Sequence, residues 1–256
     1  MEPVVERPRS QARPFPFPSD FIPSFDDGKF SQTWSVGWGY RYLAYTTRVV
    51  KEVQALDFDS LIDIGCGEGR LLHELSGLFP DKRLVGIDMN ERAIRFGRAF
   101  VPGAEFICGD IETGDLPAVE QFDAATLIEV LEHIPPEQCA ALITGISRCL
   151  RPHGSLVVTV PTTKTRHVNP RHYRHFDRAT LSALLDEAFE VRHVHFLNRV
   201  SFFDRLIGML LQNQLFILNE GRLATALYSY YVEHLLETDE ASAGRLLAVF
   251  VKRQVL

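Results

Sequence analysis

Closely spaced cysteine pairs are missing from this sequence: Cys66, Cys108, Cys139 and Cys149 are scattered through 256 residues. That spacing excludes a disulfide-dense scaffold and a zinc knuckle, and predicts reduced, mostly buried thiols. Long apolar runs are missing too. The best candidate, beginning at Phe202, is interrupted by Asp204, Arg205, Gln212, Asn213 and Gln214, well short of the roughly 20 apolar residues a bilayer-spanning helix requires. Nor is positive charge in excess: 27 Lys and Arg stand against 33 Asp and Glu, a formal net charge of -6. With no global positive field to hold a nucleic-acid backbone, nucleic acid is not an expected partner. The opening stretch contains Arg and Pro but no apolar run of the secretory kind, which predicts a cytoplasmic location. Internal repeats and low-complexity tracts are likewise lacking.

A hydrophobic content of 46% over 256 residues allows a substantial core within one large α/β domain. Residues 1–28 are rich in Pro, Arg, Ser and Asp, and their Phe-Pro pairs favour extended backbone, so this stretch reads as a flexible arm. Residues 29–256 read as the domain. It opens on an aromatic-rich helix carrying Trp34, Trp38, Tyr40, Tyr42 and Tyr45, then Val49, Val50 and Val53 at helical spacing. From Ser60 onward, the apolar runs SLIDIG, RLVGIDM, EFICGD and FDAATLIEV alternate with amphipathic stretches. That alternation predicts βαβ units with right-handed crossovers and a parallel sheet. After a turn at Arg151–Gly154 come SLVVTVP, a helix over Ala179–Phe189, and strands over Val191–Phe196 and Leu246–Val251. Between the last two strands lies a helical insertion, about residues 199–240, with Phe203, Leu206, Ile207, Leu210 and Leu211 on one stripe. Packing of that stripe on the core is expected; a homodimer contact or a membrane-surface helix is the alternative use.

Three motifs carry the functional signal. Ser60–Gly69 is an apolar strand running into a glycine-rich turn and then a helix; glycine lacks Cβ and tolerates positive φ, so such a turn lets backbone approach a ligand closely. Asp88 closes the next strand, about 20 residues on, where a doubly wound fold places the carboxylate that accepts from the ribose hydroxyls of a nucleoside cofactor. The strand EFICGD ends in Asp110, positioned to accept from an adenine amino group while Ile111 packs on the ring. The turn reads G-x-G-x-G, with Arg70 where the third glycine of a dinucleotide fingerprint falls. A pyrophosphate-bearing cofactor such as NAD is thereby disfavoured, and with it a nicotinamide-dependent oxidoreductase.

Over about residues 55–195 these motifs resemble those of class I S-adenosylmethionine (SAM)-dependent methyltransferases: Asp63–Gly69, Asp88-Met89 and Gly109-Asp110-Ile111. The resemblance implies a Rossmann-like seven-stranded sheet with helices on both faces, the final antiparallel strand being LLAVFVKR. It also implies SAM as cofactor, held by Asp63, Gly65, Cys66, Gly67, Gly69, Asp88, Met89, Asp110, Ile111 and Glu129.

After the fourth strand, Ile128-Glu129-Val130-Leu131-Glu132-His133 places two carboxylates and an imidazole at the carboxyl end of the sheet, where open α/β folds bind ligands. Methyl transfer to an alcohol needs a general base or a metal ion, because the hydroxyl proton must leave. The E-x-x-E-H pattern resembles that of ubiquinone-biosynthesis O-methyltransferases and small-RNA 2′-O-methyltransferases. That likeness makes Glu129, Glu132 and His133 candidate ligands for Mg²⁺ or another divalent cation; the alternative is that they shape the pocket and supply a base. Downstream, Arg166–Arg178 is dense in His and Arg and follows a strand end. His172 and His175 join His133 as candidate catalytic residues, and the arginines favour an anionic acceptor. The other reading of this segment is a solvated basic loop, with Asp177 capping the next helix. The expected function is SAM-dependent O-methylation of a small-molecule acceptor, a sugar, polyketide or quinone-like precursor. RNA 2′-O-methylation and a non-catalytic SAM-fold binding subunit are the alternatives.

Overall fold

Five consecutive buried positions make β3 (Ser60–Ile64) a strand with no solvent face, as expected where helices cover both sides of a parallel sheet. It pairs in parallel with β4 (Arg83–Asp88) on one side and β6 (Phe122–Ile128) on the other. Beyond β4 lies β5 (Glu105–Cys108), and beyond β6 lies β7 (Leu150–Pro161). The last strand, β9 (Ala243–Lys252), inserts antiparallel between β7 and the edge strand β8 (Phe189–Arg199). The resulting order is β5-β4-β3-β6-β7-β9-β8, a seven-stranded mixed sheet. The strand order grows outward from β3 on one side and then switches to β6 on the other, so the carboxyl ends of these two parallel strands border the crevice where this topology binds ligands.

This computed structural model describes residues 24–26, 29–31, 33–112, 121–165, 171–211 and 221–254. The expected arm therefore lies outside the described residues except for Ser24–Asp26, which pairs as β1 with β2 (Lys29–Ser31) in a hairpin that the sequence reading did not anticipate. Within the large sheet, alternate residues of each strand feed two cores. Ile62, Ile64, Leu156 and Val158 face α4 (Cys139–Cys149) and α5 (Arg178–Leu185). Leu61, Val157, Leu247 and Val249 face α1 (Thr33–Gln54), α2 (Arg70–Leu78) and α3 (Glu91–Phe100). α1 buries Tyr40, Ala44, Tyr45, Val49 and Val53 at helical spacing.

Two local expectations need correction. The turn at Arg151–Gly154 is drawn into β7, but pairing jumps from Phe122↔Leu150 to Ala124↔Ser155, so these residues bulge out of the ladder, with His153 at φ 61°. The insertion forms α6 (Phe202–Leu211) and α7 (Gly221–His234), yet its stripe does not pack as a unit. Ile207 is buried, whereas Phe203 and Leu206 are exposed, because α6 meets the core along one narrow edge. Cys66, Cys139 and Cys149 are buried, Cys108 is exposed, and all four are free thiols. No helix among the described residues is long and apolar enough to cross a membrane.

Candidate active site

The turn after β3 is built around backbone that side-chain-bearing residues adopt with strain. Gly65, Gly67 and Gly69 all have positive φ. At Gly65 a Cβ would lie 2.5 Å from Val130 Cγ2, so the turn presses against the segment following β6. At Gly67 a Cβ would meet no atom within 4 Å, so the face of the turn is open. The turn is tied to β4 through Gly65 N–H and Cys66 N–H, both donating to Ile87 O, at 2.8 and 3.1 Å. Asp88 completes the tie: its carboxylate accepts from Gly67 N–H (2.9 Å) and Asn90 N–H (2.7 Å). Asn90 then caps α3, accepting from the N–H groups of Arg92 and Ala93. Met89 is half exposed beside Asp88.

Asp63 lies beneath the turn, buried, and accepts from Thr126 Oγ1 at 2.6 Å. Burial, reinforced by the neighbouring Asp88 charge, raises its pKa to about 7. On the far side of Asp88, Gly109 N–H donates to Asp88 O (3.1 Å), placing Asp110 next along the edge. The Asp110 carboxylate accepts from Glu112 N–H (2.9 Å), and Ile111 is buried. The residues named for the cofactor thus gather at the ends of β3, β4 and β5, with Val130 linking them to the acidic run.

That run is not arranged as the E-x-x-E-H likeness implied. Glu129 sits in left-handed backbone at φ 57°, and its carboxylate is gripped bidentately by Arg245 of β9, Nε to Oε1 at 2.9 Å and Nη2 to Oε2 at 2.5 Å. Thr159 Oγ1 donates to the same carboxylate at 2.9 Å. The guanidinium carbon stands 3.9 Å from the ring centroid of Tyr45, which is fully buried. Burial alone would raise the Glu129 pKa, but the Arg245 charge and its hydrogen bonds hold it below the usual carboxylate range. Glu129 is therefore spent on Arg245, and its candidacy as a metal ligand is corrected.

Glu132 is the opposite case. It is 1% exposed, and its Oε2 has no hydrogen-bond partner among the described residues. Burial and the nearby Glu129 charge push its pKa well above the ordinary value. Donor atoms of Glu132, His133 and His172 lie within 4.8 Å of one another, so His172 takes the third place that the sequence reading gave to Glu129. The two rings meet edge to face, with centroids 4.7 Å apart. His133 Nδ1 lies 3.2 Å from the Arg171 carbonyl, which can only accept, so Nδ1 carries the proton and Nε2 the lone pair. Burial lowers the His133 pKa, keeping the ring neutral.

The loop bearing His172 is pinned: Tyr173 N–H donates to Glu132 O (2.7 Å), and Phe176 N–H to Pro161 O (3.0 Å). Asp177 caps α5 in a capping box with Thr180. His175 stands behind His172 and is bonded to it, so it does not join the three-donor group. Residues 166–170 of the basic loop lie outside the described residues. Arg245 went unnoticed in the sequence, where Tyr45 was read only as part of an aromatic-rich helix; a lone guanidinium inside the apolar strand AGRLLAVFVK was the available signal.

A second acid–imidazole group lies between α1 and β8. Glu52 accepts from His193 Nε2 at 2.6 Å, His195 Nε2 lies 3.3 Å away, and Arg48 forms an ion pair with the same carboxylate. Arg48 also bonds Glu237 (2.7 Å).

The sheet order with its antiparallel β9, and the open glycine turn tied to an acid on the neighbouring strand, define the class I SAM-dependent methyltransferases. Residues 61–154 match the methyltransferase domain family model, and the sheet around them has the fold of that class. Over 130 residues it is 32% identical to the trans-aconitate 2-methyltransferase of Acidovorax sp. (strain JS42), covering 50% of this chain and 46% of that protein. It is 28% identical over 124 residues to the mitochondrial ubiquinone biosynthesis O-methyltransferase of Schizosaccharomyces pombe, covering 46% and 43%. The match thus spans about half the length of these curated relatives. In fold it is similar to the N-methyltransferase NodS of Bradyrhizobium japonicum WM9 in complex with S-adenosylhomocysteine, with TM-score 0.57 at 19% identity, covering 84% of this chain and 88% of that one.

Proposed function

We propose that this protein transfers the methyl group of SAM to an oxygen atom of a small-molecule acceptor. The open face at Gly67 gives a nucleoside cofactor room that any larger residue would fill, and Gly65, Cys66, Gly67, Gly69, Asp88, Met89, Asp110 and Ile111 would hold it. Bound SAM supplies the methyl group as an electrophile on sulfonium sulfur. Asp88 would orient the ribose hydroxyls through the lone pairs not used by Gly67 and Asn90. Asp63 would stand with them, buried near the end of β3 where it accepts from Thr126.

The observation that carries the choice of oxygen is the buried carboxyl of Glu132, unpartnered at Oε2 beside His133 and His172. A hydroxyl brought to this cluster would find acceptors for its proton, and the neutral His133 is able to take it. A divalent cation also fits these three residues, because an orphaned carboxylate oxygen and imidazole nitrogens form a donor set suited to Mg²⁺, Mn²⁺ or Zn²⁺. Such an ion would lower the pKa of the acceptor hydroxyl. The arginines of the adjoining loop, Arg171 and Arg174, favour an acceptor bearing a carboxylate or phosphate.

The test is a product-mass screen of metabolite extracts incubated with enzyme and methyl-labelled SAM, with and without chelator. A labelled product bearing a new methoxy or methyl-ester group supports the reading. Methylation confined to nitrogen or carbon overturns the oxygen assignment, and chelator-insensitive O-methylation leaves His133 or His172 as a plain base.

A further inference from the structure

We propose that His175 is a positioning residue that fixes the tautomer of His172, holding its neutral ring as the Nδ1–H form. This deepens the functional reading above and rests on it for its purpose, although the tautomer itself follows from hydrogen-bond bookkeeping alone. His175 Nδ1 lies 3.1 Å from the carbonyl oxygen of Thr162. A carbonyl only accepts, so Nδ1 of His175 carries its proton. Thr165 Oγ1 sits 3.2 Å from the same nitrogen, and its own proton is committed to Thr162 O at 2.6 Å. It therefore offers Nδ1–H a second acceptor beside the Thr162 carbonyl, which also accepts from Thr165 N–H at 3.1 Å.

A neutral imidazole has a single N–H, so Nε2 of His175 is an acceptor. Its partner at 2.9 Å is Nδ1 of His172, which must donate. Neutral His172 is thereby held as the Nδ1–H form with its lone pair on Nε2, the same tautomer that the Arg171 carbonyl imposes on His133. Both neutral rings are then Nδ1–H forms with the lone pair on Nε2, the form that can receive a proton or a cation there.

The origin of the chain is rigid. Thr162 is buried, its N–H donates to Gly244 O at 3.0 Å, and its hydroxyl donates to Ala243 O at 2.5 Å. The carbonyl that sets the tautomer is therefore anchored to the first residues of β9, next to Arg245. One strand end thus fixes both the charge partner of Glu129 and, through His175, the proton position on His172.

The experiment is a long-range ¹H–¹⁵N correlation spectrum of ¹⁵N-histidine-labelled protein at a pH where the imidazoles are neutral, with His172 assigned by its loss in His172→Gln. The proposal requires His172 to be the Nδ1–H tautomer in the wild type. It also requires a switch toward the Nε2–H form in His175→Phe, and retention of Nδ1–H in His175→Gln, whose side-chain carbonyl can accept in place of Nε2. An Nε2–H form of His172 in the wild type overturns it, and so does an unchanged tautomer in a folded His175→Phe. The wild-type spectrum decides even where a variant fails to fold. Titration of the same wild-type sample with S-adenosylhomocysteine separates the two claims. Absent binding with His172 as Nδ1–H sinks the methyltransferase reading alone, and intact binding with His172 as Nε2–H sinks the tautomer assignment alone.

Discussion

Two groups in this molecule share one composition, a buried glutamate with two histidines, and differ in what surrounds the carboxylate. Glu52 is satisfied by Arg48 and His193, with His195 alongside, and the network extends to Glu237, clamping α1 onto β8. Glu132 has His133 and His172 beside it, yet the guanidinium whose charge reaches it, Arg245, is spent on Glu129. Their pKa values diverge accordingly. Burial would raise both, but hydrogen bonds from His193 and Arg48 hold Glu52 below the ordinary range, while the Glu129 charge drives Glu132 further above it. Unspent hydrogen-bonding capacity in a buried acid distinguishes a site from a clamp; residue type alone does not.

The most damaging way to break this contrast is to remove the guanidinium that keeps Glu129 occupied. Arg245→Leu leaves a buried carboxylate without a counter-charge beside Glu132, and a loss of about 3–5 kcal/mol is expected from chemical denaturation. A loss below about 1 kcal/mol would show that the pair is not buried as described.

The same substitution in the two clusters should act with opposite sign. The folded-state pKa of Glu132 is raised, so its favourable contribution is complete below the unfolded value near 4.5 and lost as pH rises through the folded one. Glu132→Gln stays neutral and should gain about 1–3 kcal/mol over wild type at pH 8, with the gain fading toward pH 4. Glu52 is depressed, so its contribution is present above that unfolded value and lost as pH falls through the folded one. Glu52→Gln should therefore lose about 1–3 kcal/mol at pH 8 and converge on wild type in acid. Equal signs would erase the distinction.

The smallest expected effect sharpens the contrast. Mn²⁺ at tenfold excess over its dissociation constant should stabilise the wild type by about 1.4 kcal/mol. Glu52→Gln should respond equally and Glu132→Gln not at all. A response lost in Glu52→Gln instead would move the ion to the clamp.

The sheet was legible in the sequence because a strand buried on both faces is mostly apolar, as SLIDI and VVTVP are apart from Ser60, Asp63 and Thr159. The glycine turn and the acids at 88 and 110 were legible because their geometry is local. What escaped notice depends on partners distant in the chain. Arg245 lies 116 residues from Glu129, and only the insertion of β9 beside β7 brings them together. The division of labour between His172 and His175 is invisible for a different reason: both imidazoles lie in one short loop, and only the Thr162 carbonyl, fixed by the start of β9, decides which stands behind. The β1–β2 hairpin was missed because it straddles residue 28, where the Pro-rich stretch read as an arm gives way to the domain.

Calorimetric titration of S-adenosylhomocysteine into the wild type and Asp88→Ala tests the account most directly. Saturable one-site binding by the wild type is predicted, weakened at least roughly tenfold in the variant, because the carboxylate proposed to accept from the ribose is gone. Wild-type affinity retained by Asp88→Ala, or no saturable heat from the wild type, would contradict it.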